Sequence, residues 1–394
     1  MSDKPKLLWH SNAPWSPTGY GAQTALFARM LKEDYNLGIS SFYGLEGNVL
    51  PWNGIPVYPG IAGDYGDKTM PDHARVHFGP DLRSGLVVTL MDVWPLDVQV
   101  WRGFNVASWV PVDHEPCPRP VSDFFHDTGA VPIAMSKFGR DELRNEGLDP
   151  LYCPHAVDTA VYKPHDKQEA RESTGMPEDA FLVGMVAANK GNPSRKCFSE
   201  AIQAFKLFHA KHPEARLYIH TEATGIFEGV HIPDLVRDVG LDLSTVIFPD
   251  QYRVIHYPFP PETMAKIYSS MDVLLSPSAG EGFGIPVIEA QACGVPVIAS
   301  DFSAQPELVG AGWLVSGTKT YTPIRSWQFR PDIPDIVDAL RQAYSQSPGH
   351  SEKARAHALQ YDAKRVYTEH LLPSLQKAAE RFEDRKPMKL EAVA

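Results

Sequence analysis

Residues 276–300 read Ser-Pro-Ser-Ala-Gly-Glu-Gly-Phe-Gly-Ile-Pro-Val-Ile-Glu-Ala-Gln-Ala-Cys-Gly-Val-Pro-Val-Ile-Ala-Ser. The apolar run before them, ending at Ser276, reads as a strand. A loop of small residues follows, and helical spacing resumes at Pro286, a residue suited to the first turn of a helix. Gly280, Gly282 and Gly284 let the backbone approach a ligand closely. The N–H groups of Phe283, Gly284 and Ile285 stand at the helix start and point to an anion site. Glu281 lies in the loop and Glu289 early in the helix. Carboxylates do not bind a phosphate; they accept hydrogen bonds from hydroxyls on either side of it. Sugar hydroxyls, a pyrophosphate and ribose hydroxyls are what a sugar nucleotide presents.

Outward from this stretch, strands and helices alternate. Strands are expected at 181–186, 216–220, 245–248, 272–276 and 296–299, with helices at 198–209, 233–238, 261–269 and 286–292. A similar series occupies the first third, with strands at 7–10, 37–43, 86–91, 106–112 and 131–135 and a helix over 21–31. Residues 44–80, rich in Gly and Pro, read as irregular. Two such series predict an α/β protein of two doubly wound, Rossmann-like domains facing each other across a cleft. The polar stretch 161–179 places the boundary near 165, giving domains 1–165 and 166–369. The charged tail, 351–385, reads as one or two amphipathic helices.

The stretch 276–300 resembles the Glu-x7-Glu motif of the retaining glycosyltransferases of family 4, which have the GT-B fold. Glu307-Leu-Val ahead of Gly312-Trp-Leu-Val extends the resemblance. The family implies that Glu281 contacts donor-sugar hydroxyls and Glu289 holds the ribose. It places an Arg and a Lys after the first strand of the second domain, aimed at the donor pyrophosphate. In Asn189-Lys-Gly-Asn-Pro-Ser-Arg-Lys196 those roles fall on Arg195 and Lys196, with Lys190 in reserve. The two basic residues adjoin here, where the family usually separates them. Pro14-Trp-Ser-Pro-Thr-Gly19-Tyr-Gly21 is not a dinucleotide fingerprint and resembles the family's N-terminal Gly-Gly loop, implying donor contact at Gly21 and Gly19. Val110-Pro-Val-Asp113-His114-Glu115 follows a predicted strand, and the family has a His in this region near the acceptor. His114 takes that role, with Asp113 as its rival. The tail helix, about residues 370–394, would cross back onto the first domain.

Composition bounds the rest. The chain has 394 residues, 37 Lys plus Arg against 48 Asp plus Glu, and a formal charge of −11, so no nucleic-acid partner is expected. No apolar run is long enough to span a membrane, and the polar N-terminus argues against a leader. The four cysteines are far apart, as in a cytoplasmic protein with reduced thiols, and no metal-ligand spacing occurs. The expected enzyme moves a hexose-type sugar from a nucleoside-diphosphate sugar, UDP- or GDP-linked, to an acceptor that is a small molecule, a glycan or a protein. It would need no cofactor and no metal. A sugar-nucleotide epimerase and a non-catalytic sugar-nucleotide-binding protein are the alternatives, while a phosphorylase would need motifs that are not found. The oligomeric state stays open.

Overall fold

The computed structural model describes residues 4–191, 193–257, 259–346 and 349–384. The chain divides into two units. The first comprises 1–112, 116–156 and 363–394, and the second 113–115 and 157–362.

The first unit holds β1 (Lys6–Asn12), β2 (Asn36–Tyr43), β3 (Leu50–Trp52), β4 (Ile55–Tyr58), β5 (Gly85–Leu90), β6 (Val106–Val110), β7 (Val131–Ala134) and β8 (Leu151–Tyr152). Their order is β3-β4-β2-β1-β5-β6-β7-β8. All neighbours pair in parallel except β3 with β4. Leu7, Leu8 and Trp9 are all fully buried, so β1 is covered on both faces and lacks the polar alternation of a half-exposed strand. The helix Gly19–Asp34 starts at Thr18, whose hydroxyl accepts the Gly21 amide, and buries Phe27, Ala28 and Leu31. Residues 44–80 are more regular than their composition suggests, holding β3, β4 and the helix Met70–Phe78. That helix buries Met70, Ala74 and Phe78, so core packing outweighs the Gly and Pro content.

The second unit holds β9 (Leu182–Val186), β10 (Arg216–His220), β11 (Val246–Ile247), β12 (Val273–Ser276), β13 (Val297–Ser300) and β14 (Gly312–Val315). The order is β11-β10-β9-β12-β13-β14, all parallel. The helices Phe198–His209 and Ile333–Ser345 bury Phe198, Phe205, Phe208, Ile336 and Leu340 in the core of this sheet. A separate antiparallel hairpin, β15 (Gly317–Tyr321) with β16 (Trp327–Pro331), follows β14. Asp272, just before β12, accepts Lys167 Nζ at 2.7 Å, Arg171 Nη2 at 2.8 Å and the Leu182 amide at 2.6 Å, tying the helix Lys167–Thr174 to the sheet.

The units divide at Ala156/Val157 and Asp362/Ala363, not near residues 165 and 370. Hydrogen bonding explains the difference. Gln23, buried in the first unit, bonds both the amide (3.0 Å) and the carbonyl (2.8 Å) of Ala156. Residues 157–162 are bonded within the second unit: the Val157 amide to Tyr361, and the Thr159 and Tyr162 carbonyls to the Arg355 guanidinium. In the tail, Tyr367 bonds the Asp34 carboxylate and Ser374 the Tyr152 carbonyl, both within the first unit. Among the described residues no helix is long and apolar enough to cross a membrane.

Candidate active site

At the C-terminal end of β9 the chain enters a loop pinned by Asn189. The Asn189 amide group donates to the Glu222 carbonyl (3.0 Å) and the Val230 carbonyl (2.7 Å) and accepts the Val230 amide (2.9 Å). Lys190 is exposed at this loop. Farther along, the Arg195 carbonyl accepts the Ala279 amide at 2.8 Å, which docks this loop on the one after β12. Both are loops after the carboxyl ends of adjacent parallel strands, the usual place for a ligand in such a sheet.

Arg195 and Lys196 are brought together on one carboxylate. The Lys196 ammonium contacts Glu281 Oε1, and Arg195 Nη1 lies 3.4 Å from Glu281 Oε2. Arg195 Nη1 also donates to the Gly280 carbonyl and sits 3.2 Å from Asp113 Oδ2. The adjacent basic residues, which the family usually separates, therefore both reach Glu281. Glu281 is buried, and its amide donates to Ser303 Oγ at 2.8 Å. Burial alone would raise its pKa, but Lys196 and Arg195 together hold it below the ordinary carboxylate value. Burial lowers the pKa of Lys196, and Glu281 opposes that shift.

Gly284 has φ +118° and caps the helix Ile285–Ala292, whose first turn carries the amides proposed to bind an anion. Phe283 is buried, with its ring 5.6 Å from that of Tyr361. A small hollow lined by Val186, Ala187, Lys196, Ser278, Glu281 and Gly284 opens here. Glu289 has less open surroundings than expected: Tyr268 donates to its Oε2 at 2.7 Å and Tyr162 also bonds it. Burial raises its pKa, and the two hydroxyls partly oppose the rise.

Asp113 and His114 belong to the second unit. Asp113 Oδ1 lies 2.6 Å from His114 Nδ1. Burial would raise the Asp113 pKa, but the His114 hydrogen bond and the Arg195 charge outweigh it and hold the carboxyl at about 2. The ionised carboxylate orients the imidazole by accepting a hydrogen bond from a proton-bearing Nδ1. Asp113 thus contacts both His114 and Arg195. A Cβ at Gly280 would strike the Asp113 carbonyl oxygen. Gly280→Ala is therefore expected to destabilise the protein by about 1–3 kcal/mol and to displace Asp113 from Arg195. Denaturant midpoints measured beside those of a Gly349→Ala control, where the structure leaves open space, check this.

Two residues singled out in the sequence belong to the other unit. Gly19 and Gly21 open the first helix of the first unit, and the Gly21 amide is already bonded to Thr18 Oγ1 at 3.0 Å. A Cβ at Gly21 would meet the Ser16 carbonyl, so close packing by itself accounts for glycine there.

Residues 181–343 match the family model described as glycosyl transferases group 1. Over these residues the chain is similar to that family. The D-inositol 3-phosphate glycosyltransferase 2 of Catenulispora acidiphila is 31% identical over 229 residues, covering 54% of this chain and 51% of that protein. The D-inositol 3-phosphate glycosyltransferase of Gordonia bronchialis is 26% identical over 266 residues, covering 66% and 53%. The chain thus spans about half the length of these curated relatives. Among solved structures, the sucrose-phosphate synthase of Thermosynechococcus elongatus superposes with a TM-score of 0.72 at 15% identity, over 95% of this chain and 99% of that one. Anabaena Alr3699/HepE in complex with UDP and glucose gives 0.66 at 15% identity, over 95% and 100%. These likenesses establish a GT-B fold with two Rossmann-like units. Asn189, Arg195, Lys196, Glu281 and Glu289 all lie inside the matched group 1 region, whereas Asp113 and His114 lie outside it.

The sequence reading missed three contributors. Ser303 fixes the Glu281 amide, and Tyr268 with Tyr162 holds Glu289. The third is the β15–β16 hairpin, where the Glu115 and Trp327 backbones exchange hydrogen bonds of 3.1 and 2.8 Å. Trp327-Gln-Phe329 alternates aromatic and polar residues, a faint strand signal that the exposed Lys319-Thr-Tyr321 does not repeat.

Proposed function

We propose that this chain is a glycosyltransferase that moves a hexose-type sugar from UDP or GDP to an acceptor hydroxyl, with retention and without a metal ion. One observation carries the reading: Lys196 and Arg195 converge on Glu281 beside the start of the helix Ile285–Ala292. Two cations and a helix N-terminus supply the positive charge that a departing diphosphate needs. Glu281 would accept hydroxyls of the donor sugar and Glu289 those of the ribose. The bond from the anomeric carbon to the diphosphate oxygen breaks as the acceptor oxygen bonds that carbon on the same face. The acceptor proton passes to the leaving diphosphate. His114, oriented by Asp113, would take its place on the acceptor side. The relatives named for D-inositol 3-phosphate make that compound one candidate acceptor. The UDP and glucose seen in Anabaena Alr3699/HepE support a nucleotide-sugar donor.

Thermal unfolding with UDP, GDP, ADP and dTDP, each without and with Mg²⁺, tests the donor. Saturation at about 100 times the dissociation constant would add about 2.7 kcal/mol of stability. The midpoint should rise with UDP or GDP, with no need of Mg²⁺. No rise with any nucleotide would overturn the reading, and a rise strictly dependent on Mg²⁺ would overturn its metal-free form.

A further inference from the structure

The β15–β16 hairpin carries an aromatic pair that the core does not use. Tyr321 is 56% exposed and Trp327 40%, and their rings stand 4.9 Å apart at 64°. They are register partners, so both project from the same face of the ribbon. In the next pair on that face, Lys319 with Phe329, the lysine is exposed and only the phenylalanine turns to the core. Phe329 is buried and stacks on Phe302 with ring centroids 5.5 Å apart. Phe302 precedes Ser303, which holds the Glu281 amide. Lys319 reaches Glu115 Oε2 at 2.6 Å, and the Trp327 backbone bonds that of Glu115, the neighbour of His114.

We infer that Tyr321 and Trp327 form the acceptor subsite and that the acceptor is a glycoside whose apolar ring face stacks on them. This deepens the function proposed above and rests on it. One end of the ribbon is locked onto the loop holding Glu281 and onto the segment holding His114, while its aromatic rings stay in solvent. Aromatic side chains with an apolar face and a polar edge suit a partner that is itself mixed. A pyranose ring offers C–H groups on its face and hydroxyls at its rim. The Glu115 carboxylate and the Lys319 ammonium, bonded to each other and partly exposed on neighbouring residues, offer an acceptor and a donor to rim hydroxyls.

The test uses the full chain with the donor that stabilises it. The acceptor panel is methyl glycosides of glucose, galactose, mannose and N-acetylglucosamine, the disaccharides maltose and cellobiose, and D-inositol 3-phosphate. Products are identified by mass spectrometry. Transfer to at least one glycoside is expected. Trp327→Ala should raise the KM for that glycoside by roughly tenfold or more, while the donor KM moves less than twofold. Trp327→Phe should restore most of the loss. If Trp327→Ala unfolds, Tyr321→Ser, at the more exposed ring, carries the same comparison. Transfer to D-inositol 3-phosphate and to no glycoside would overturn the subsite and leave the glycosyltransferase reading intact. Equal rises in donor and acceptor KM would also overturn it, because they mark a structural role. A wild-type chain that neither binds a nucleotide nor consumes a donor would overturn both.

Discussion

Replacing Glu281 by glutamine is expected to cut turnover by about 10²- to 10³-fold and to destabilise the second unit by about 3 kcal/mol. Both effects come from one carboxylate. Glu281 is the shared counter-charge of Lys196 and Arg195, with its side chain only 10% exposed. Glutamine keeps the shape and one acceptor oxygen but removes the charge, leaving a half-buried ammonium uncompensated. The two effects should separate on adding nucleotide. A bound diphosphate supplies the missing negative charge, so the stability deficit should shrink at saturating UDP or GDP while turnover stays low. Denaturation midpoints with and without nucleotide, beside initial rates, measure this. A deficit that nucleotide leaves unchanged would show that the cations do not face the phosphates.

The first unit is expected to unfold in mild acid. His10 is fully buried in β1, with ring centroids 5.4 Å from Phe42 and 5.1 Å from Trp101. Its Nδ1 lies 2.9 Å from Ser40 Oγ, and its Nε2 lies 2.9 Å from the Tyr65 carbonyl. Burial lowers its pKa from 6.5 to about 4. His155 packs 4.5 Å from Trp109, and burial lowers its pKa to about 3. Both are neutral in the fold and take up protons on unfolding. Their contribution is complete above pH 6.5, the unfolded value, and is lost as pH falls to about 4 for His10 and to about 3 for His155. At about 1.36 kcal/mol per pKa unit the loss approaches about 3 kcal/mol for His10 and about 5 kcal/mol for His155. Together these rival the whole stability of a domain. Burial lowers His73 in the same direction. Denaturant midpoints at pH 8, 6, 5 and 4.5, followed by tryptophan fluorescence, should fall steeply below pH 6. A flat profile would mean that these rings are solvated. Asp113 acts at lower pH: its depressed pKa stabilises the fold above about pH 4, and that stability is lost as pH falls to about 2.

The parts of the fold legible in the sequence are those where burial leaves a periodic mark. The helix Phe198–His209 has the bounds its apolar spacing predicts, and β9, β10, β12 and β13 fall within a residue of their expected places. Their side chains are buried on both faces of a sheet, so the runs are apolar and short. Residues 44–80 were harder, because β3 and β4 are short and Pro- and Gly-flanked, with β3 largely exposed. The hairpin escaped for a related reason: β15 is exposed along almost its whole length and offers no apolar run. In the candidate site, Glu281 stood out from its Gly-rich loop, whereas Arg195 and Lys196 were singled out only through the family resemblance. The pairing of Asp113 with Arg195 was not. It links residues far apart in the chain through a hairpin whose own pairing had to be found first.

That pairing makes the second unit discontinuous. Asp113 to Glu115 serve it as a short edge segment, although the chain on either side belongs to the other unit. A fragment begun at residue 157 would expose the Trp327 backbone as an open sheet edge and leave Arg195 without Asp113. Such an edge is a template for pairing with other chains, so the fragment should aggregate where the intact protein does not. During synthesis the segment emerges long before the strands it completes, and the second unit closes only by reaching back for it. The architecture thus trades rapid, local folding for a site that no single stretch of the chain can build alone.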